Sequence, residues 1–139
     1  MLQLKGKSRL ELKKMVRVLI VEDNQTEASI LTKCLRGSGF EVQNVSTAET
    51  AKAVLERANF DAILLDIILP GQSGFGLCRE LKNKEDTAKI PIIICSGKNG
   101  KIDKNWALKQ GANAYVTKPI NPTEVLDTLT EVIGGARHF

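Results

Sequence analysis

Short apolar runs alternate with longer amphipathic segments along this chain, and no other feature restricts its fold as strongly. Residues 16–21, 62–65, 90–95 and 113–117 are mainly apolar, β-branched or aromatic. Runs of this length predict strands that are buried on both faces of a parallel sheet. Residues 41–45 form a more polar candidate, as expected of an edge strand. An amphipathic segment follows each run, so the sequence predicts an α/β fold, a three-layer sandwich with five parallel strands and five helices.

Capping signals mark where three of the predicted helices begin. A side-chain acceptor followed three residues later by Glu is typical of a helix N-terminus. The candidates are Asn24 with Glu27, Ser46 with Glu49, and Asn121 with Pro122 and Glu124. The fourth helical segment, residues 101–110, has the weakest apolar stripe, and we expect Trp106 to anchor it in the core.

Polar residues that can carry chemistry follow four of the predicted strands. They are Glu22 and Asp23, Asp66, Ser96, and Lys118. In an open parallel sheet the carboxyl ends of the strands meet at one rim, where ligands bind. Each residue alone has a simpler interpretation, because acids and hydroxyls at such turns are most often helix caps or turn residues. Together they predict one pocket with three acids, a hydroxyl and an ammonium group.

The composition of this pocket points to phosphoryl chemistry supported by Mg²⁺. Carboxylates that lie close together repel one another unless a cation lies among them, and an all-oxygen set suits Mg²⁺ better than zinc. A carboxylate beside Mg²⁺ can act as a nucleophile towards a phosphoryl group, which makes Asp66 a candidate acceptor. Lys118 would then offset the added negative charge, and Ser96 would donate a hydrogen bond to a phosphoryl oxygen.

The composition is that of one ordinary globular domain. Hydrophobic residues make up 42% of the 139 residues and charged residues 26%, and no apolar run approaches the roughly 20 residues that cross a bilayer. The three cysteines have no metal-ligand spacing, so we expect them to be small core residues. These features favour a cytoplasmic protein that is not inserted into a membrane.

The net charge of +4 comes from the N-terminal segment. Residues 1–17 contain six basic residues and one acidic residue, whereas the rest contains 14 basic and 15 acidic residues. The near-neutral remainder gives no basic surface for DNA, so no direct DNA binding is expected. The predicted organisation is a flexible basic arm over residues 1–15, one domain over 16–134 and a tail over 135–139. Met15 stands just before the first strand, so a start there is an alternative to Met1.

Several motifs resemble those of the receiver domains of two-component response regulators. The motifs are Val21-Glu22-Asp23-Asn24, Leu65-Asp66-Ile67 with Pro70 and Gly74, Cys95-Ser96-Gly97, and Gly111-Ala112 leading to Tyr115-Val116-Thr117-Lys118-Pro119. The resemblance covers residues 16–134. It implies a flavodoxin-like sheet with the strand order 2-1-3-4-5. It also implies a cis peptide bond between Lys118 and Pro119.

The resemblance assigns a role to each residue at the rim. It implies that Asp66 accepts a phosphoryl group from a histidine kinase. Mg²⁺ would be held by Asp66 with Glu22, Asp23 and the backbone carbonyl of Ile68. Glu22 stands where Asp is commoner in the family, and its longer side chain can reach the metal through a water molecule.

The remaining implied roles concern the phosphorylated state. Lys118 would pair with the phosphoryl group, Ser96 would hydrogen-bond to it, and Tyr115 would turn inward as the switch. Such a protein catalyses its own phosphotransfer and dephosphorylation without being a conventional enzyme. The sole histidine, His138, lies at the C-terminal end, so a phosphohistidine donor must belong to a partner.

Further likeness connects the chain to single-domain, chemotaxis-like regulators of pilus motility and phototaxis. The residues are Gly71 to Phe75 and the stretch from Asp103 to Lys118 with Trp106. The implied partners are a chemotaxis-type histidine kinase and a downstream protein that binds the surface formed by the fourth helix, the fifth strand and the fifth helix. The output would be protein contact.

Two other classes of protein are alternatives to a phosphorylation switch. A pseudo-receiver adaptor would keep the fold and act without phosphorylation, which the full set of site residues disfavours. A small enzyme with the same topology fits less well. Flavodoxin would need a hydroxyl- and glycine-rich loop where Glu22 and Asp23 stand. An aspartate-nucleophile phosphatase would need a second acid at Ile68.

Overall fold

The computed structural model describes residues 16–135, which form a single parallel sheet with helices on both faces. The elements in order are β1 (Arg17–Val21), α1 (Gln25–Gly37), β2 (Glu41–Val45), α2 (Ala48–Arg57), β3 (Ala62–Asp66), α3 (Gly74–Lys82), β4 (Ile92–Ser96), α4 (Lys101–Lys109), β5 (Ala114–Thr117) and α5 (Pro122–Ile133). All pairings are parallel, and the strand order is β2-β1-β3-β4-β5. The predicted fold class and strand order are confirmed.

The helices form two outer layers, each with its own apolar core against the sheet. One core joins β-strand side chains to Leu31 and Leu35 of α1 and to Val125 and Leu129 of α5. The other core lies between the opposite sheet face and α2, α3 and α4. Every residue of β3 and β4 is buried, because both faces of these central strands are covered. The alternately exposed residues of β2 agree with its predicted place at the edge.

The start of β4 differs from the prediction by two residues. The strand was expected to begin at Ile90, but it begins at Ile92 and extends to Ser96. Pro91 has no N–H to donate to the ladder, although its carbonyl accepts a hydrogen bond from the Ile63 N–H at 2.9 Å. The Ile92 N–H instead donates to the Asn113 side chain at 3.0 Å. The later end places Ser96 within the strand rather than in the following loop.

The predicted N-cap residue is confirmed for α1 and α5 and wrong for α2. Asn121 accepts a hydrogen bond from the Glu124 N–H at the start of α5, with Pro122 in the first turn. The predicted cap Ser46 is wrong, because α2 begins one residue later and is capped by Thr47, which accepts from the Thr50 N–H at 3.1 Å. Ser46 with Glu49 and Thr47 with Thr50 have the same spacing, so spacing alone could not show which residue caps α2.

The prediction that Trp106 anchors α4 in the core is wrong. Trp106 is 47% exposed and Ile102, one turn earlier, is 84% exposed. Ala107 is the buried residue that packs α4 against the domain. A helix with one small buried contact leaves its larger apolar side chains facing outward, which gives α4 an exposed apolar surface.

The cysteines provide a chemical test of this packing. Cys78 and Cys95 are buried, and burial raises the pKa of the Cys78 thiol to about 11 and that of Cys95 to about 12. Cys34 is only half-buried. Burial raises the pKa of the Cys34 thiol as well, but this residue stays partly accessible, so we expect maleimide at neutral pH to label Cys34 at least about tenfold faster than the other two. Peptide mass spectrometry before and after denaturation measures this difference, and equal labelling of native Cys95 would contradict the fold.

The predicted arm, residues 1–15, lies outside the described part of the chain, as do residues 136–139 of the predicted tail. Among the helices within residues 16–135, none has the length and apolar character needed to cross a lipid bilayer.

Candidate functional site

The parallel sheet brings the predicted site residues to one rim. Glu22 and Asp23 follow β1, Asp66 ends β3, Ser96 ends β4, and Lys118 follows β5. The strand register places Asp66 level with Cys95 and Ser96 level with Thr117, so the central strands end close together. Residues that lie at the ends of different strands in the sequence are therefore close together in space.

Three carboxylates at this rim form a cluster that could hold a metal ion. One oxygen each from Glu22, Asp23 and Asp66 lies within 4.8 Å of the others. Glu22 and Asp66 are buried, whereas Asp23 is exposed and leaves the cluster open to solvent. A set of hard oxygen donors with an open side fits Mg²⁺, which keeps several water ligands. The donor chemistry therefore agrees with the predicted Mg²⁺ site.

Lys118 supplies a cation to this cluster. Its Nζ lies 2.7 Å from Glu22 Oε1, 3.1 Å from Glu27 Oε2 and 3.5 Å from Asp66 Oδ2. Burial alone would lower the pKa of Lys118, but its hydrogen bonds to Glu22 and Glu27 and the charge of Asp66 raise it above its usual value. Lys118 is therefore a permanent positive charge next to the candidate nucleophile. The Lys118–Pro119 peptide bond is cis, as the family resemblance implies.

Glu22 is fixed by two contacts in addition to its place in the cluster. Oε1 contacts Lys118, and Oε2 accepts a hydrogen bond from the Asn24 N–H at 3.1 Å. Burial raises the pKa of Glu22 and outweighs the lowering effect of Lys118, with Asp66 adding to the rise. A buried carboxylate that is costly to ionise gains from a nearby dication, which again favours metal binding.

Glu27 is a site residue that the sequence reasoning missed. Asn24 caps α1 by accepting from the Glu27 N–H at 3.0 Å, as predicted. The reciprocal half of the predicted capping box is wrong, because the Asn24 N–H donates to Glu22 and the Glu27 carboxylate contacts Lys118. The only sequence signal was an acid in the first turn of the helix that follows the acidic pair, and helix capping explained it equally well.

Ser96 and Tyr115 are linked through the loop after β4. Ser96 is 2% exposed, and its Oγ accepts from the Lys98 N–H at 3.1 Å. The Tyr115 hydroxyl donates to the Lys98 carbonyl at 2.5 Å. Burial raises the pKa of Tyr115 despite a hydrogen bond with Ser96 that lowers it, so the neutral phenol is the form present. The loop at Lys98 thus contacts both residues that were predicted to switch.

The loop after β3 lies tightly against Asp66. The Ile68 N–H donates to Asp66 Oδ1 at 3.4 Å, while the Ile68 side chain is 68% exposed beside the site. Gly74, at the start of α3, donates its N–H to the Ile67 carbonyl at 2.8 Å. These contacts hold the backbone of Asp66 and orient its carboxylate towards the rim.

A doubly wound parallel sheet with three acids and a lysine at its carboxyl rim is the arrangement that the resemblance to receiver domains implies. Comparison with protein families agrees, because the model of the response regulator receiver domain matches residues 18–130. The chain belongs to the response regulator receiver family. The sequence-based recognition of this family is confirmed.

Individual relatives show how far the likeness extends. The chain is 36% identical to Protein PilH of Pseudomonas aeruginosa over 121 residues, which cover 87% of this chain and all of PilH. The structure is similar to a putative response regulator of Chloroflexus aurantiacus, with a TM-score of 0.83, 30% identity and coverage of 86% of this chain and 98% of that one. The predicted likeness to pilus regulators agrees with the PilH match.

A second solved structure bears on the metal. It is the receiver domain of the sensor histidine kinase PA1611 of Pseudomonas aeruginosa, with a magnesium ion coordinated in its active-site cleft. Its TM-score is 0.80 at 32% identity, covering 86% of this chain and 98% of that chain. A protein of similar fold therefore binds Mg²⁺ in its cleft, and this chain has three clustered carboxylates at the carboxyl rim of its sheet.

Proposed function

We propose that this protein is a phosphorylation-activated switch in which Asp66 accepts a phosphoryl group from a partner histidine kinase. The observation that carries the proposal is the position of the Lys118 ammonium, 3.5 Å from Asp66 Oδ2 and within the acidic cluster. A cation at this distance can neutralise charge on a phosphoryl group attached to Asp66. The complete charged set supports a switch over a phosphorylation-independent adaptor.

Asp66 is the acceptor in this mechanism. One carboxylate oxygen of Asp66 forms a bond to phosphorus while the bond from phosphorus to the kinase histidine nitrogen breaks. The leaving imidazole keeps the electron pair of that bond, and the product is an aspartyl phosphate. Lys118 then pairs with a phosphoryl oxygen, and the Ser96 hydroxyl donates a hydrogen bond to another.

Glu22, Asp23, Asp66 and the backbone carbonyl of Ile68 are the residues that would hold Mg²⁺. The bound ion would offset the negative charge that develops on the phosphoryl group during transfer. Exposed Asp23 leaves room for water and for the incoming phosphoryl group. Buried Glu22 orients the cluster through its contacts with Lys118 and the Asn24 N–H.

The switch would run from Ser96 to α4. If Ser96 turns its hydroxyl towards a phosphoryl group, its hydrogen bond from the Lys98 N–H is lost, and the loop that holds the Tyr115 hydroxyl can rearrange. Phosphorylation needs to bias two existing arrangements by only a few kcal/mol. Because α4 begins at Lys101, just after this loop, a change there reaches the exposed apolar surface of α4.

The output would be contact with a downstream protein on the surface formed by α4, β5 and α5. Three of the exposed large apolar residues within residues 16–135 lie on α4: Ile102, Trp106 and Leu108. Ile102 and Trp106 are one helical turn apart and share one face of α4, and exposed apolar side chains on one face are typical of protein-binding surfaces. A chemotaxis-type histidine kinase is the proposed donor and the cytoplasm the proposed location, with a role in motility supported by the similarity to PilH.

Beryllofluoride, a phosphoryl mimic, tests the switch in the wild-type protein. With Mg²⁺ present, we expect its binding to change the fluorescence of Trp106 and the amide NMR shifts of α4 and β5, because Trp106 lies on the proposed responding helix. Beryllofluoride without Mg²⁺ and Mg²⁺ alone are the controls. Bound beryllofluoride, seen by fluorine NMR, that leaves α4 and β5 unchanged would rule out this switch.

A further inference from the structure

Lys118 contacts three carboxylates, and the candidate nucleophile is the farthest of them. The Nζ distances are 2.7 Å to Glu22, 3.1 Å to Glu27 and 3.5 Å to Asp66. The charge on Lys118 is thus shared between the nucleophile and two acids that are not the acceptor. Phosphoryl transfer needs this ammonium at Asp66, so the competing contacts affect the reaction directly.

We propose that Glu27 is a positioning residue that draws Lys118 towards α1 before phosphorylation and so limits how readily Asp66 takes up a phosphoryl group. This inference rests on the proposed function of Asp66. Glu27 would act through Lys118 and would not contact the phosphoryl group. It would set the balance between the unphosphorylated and the phosphorylated state of the site.

The position of Glu27 is fixed by the fold. Its backbone N–H donates to the cap residue Asn24, which directly follows the acidic pair, so the first turn of α1 is tied to the rim. Its side chain is 39% exposed, compared with 3% for Glu22. Glu22 is held by the Asn24 N–H as well as by Lys118, whereas Glu27 stands at the solvent edge of the site and can release the lysine at less cost.

The charge of Glu27 should have opposite effects on the two ligands of the site. An added carboxylate near the acidic cluster attracts Mg²⁺. The same carboxylate repels a phosphoryl group on Asp66 and competes with that group for Lys118. Because the Glu27 side chain is partly exposed, solvent weakens both effects to modest factors.

The Glu27→Gln variant tests this inference. We expect its Mg²⁺ dissociation constant, measured by calorimetry without beryllofluoride, to rise about threefold. At saturating Mg²⁺ we expect its beryllofluoride dissociation constant, measured by fluorine NMR, to fall about three- to tenfold. The rate of labelling by acetyl phosphate should rise in parallel. A loss of folding would weaken the binding of both Mg²⁺ and beryllofluoride, so it cannot explain affinities that change in opposite directions.

Two further variants separate the contact from the charge. Glu27→Asp keeps the charge and shortens the side chain, so Mg²⁺ affinity should stay near that of the wild type while beryllofluoride affinity rises part of the way. Glu56→Gln removes an exposed charge from α2 and should change neither affinity.

Three outcomes would overturn the role of Glu27. They are a Glu27→Gln variant that matches the wild type for both ligands, one that loses affinity for both, and a Glu56→Gln variant with the same effects. If the wild type itself takes up neither beryllofluoride nor a phosphoryl group, the proposed function fails together with this inference. If the wild type reacts and Glu27→Gln does not differ from it, the inference alone fails.

Discussion

Replacement of Asp66 by asparagine is expected to abolish phosphorylation by acetyl phosphate in the presence of Mg²⁺, with a loss of at least about a thousandfold in labelling rate. The asparagine amide has the same shape as the carboxylate but lacks its charge and its nucleophilic oxygen. Asp66 also contributes one of the three carboxylates of the acidic cluster. The variant therefore loses the attacking atom and part of the proposed Mg²⁺ site together.

The variant should still fold, which makes the result interpretable. Asparagine can keep the hydrogen bond from the Ile68 N–H, and it removes a carboxylate that Glu22 and Asp23 repel. Intact-protein mass spectrometry measures labelling, and circular dichroism checks the fold. Asp86→Asn is the matched control. It removes an exposed acid from the segment between α3 and β4, and this variant should be labelled like the wild type. Labelling of Asp66→Asn at another acid would refute the assignment of the acceptor.

The sheet and the rim could be predicted because a strand that is buried on both faces requires a nearly continuous run of apolar residues in the sequence. The strands β3 and β4 are covered on both faces, so each is a nearly continuous apolar run. Once the strands are parallel, the residue that follows each one must reach the same rim. Asp66, Ser96 and Lys118 could therefore be grouped without any knowledge of side-chain positions.

The contact of Glu27 could not be predicted in this way, because it depends on a side chain reaching back from a helix. The Glu27 carboxylate is free to reach Lys118 because the Asn24 N–H, its expected partner in a capping box, donates to Glu22 instead. The exposure of Trp106 was missed for a similar reason. An apolar residue in a weakly patterned helix can face inward or outward, and the small buried residue Ala107 decides the orientation of α4.

A different kind of constraint acts at Gly74, where α3 begins directly beneath Asp66. A Cβ atom at this position would lie 2.0 Å from the Asp66 carbonyl oxygen and 2.7 Å from the Ile67 Cα. Both neighbours are backbone atoms of the segment that carries the acceptor, so no side-chain rotation can relieve the overlap. The Gly74 N–H also donates to the Ile67 carbonyl at 2.8 Å, which holds the two segments together.

Gly74→Ala is therefore expected to lower the free energy of unfolding by at least about 3 kcal/mol, because either the start of α3 or the end of β3 must move. Urea unfolding followed by circular dichroism measures the loss. Gly37→Ala is the matched control: a Cβ there has no neighbour within 4 Å, and alanine in α1 should raise stability by about 0.5–1 kcal/mol. Equal stability of Gly74→Ala and the wild type would show that the close approach of α3 to Asp66 is absent in solution. If the variant folds with the expected loss, the displaced Asp66 backbone should also slow labelling by acetyl phosphate, which would connect the packing of α3 to the chemistry at the rim.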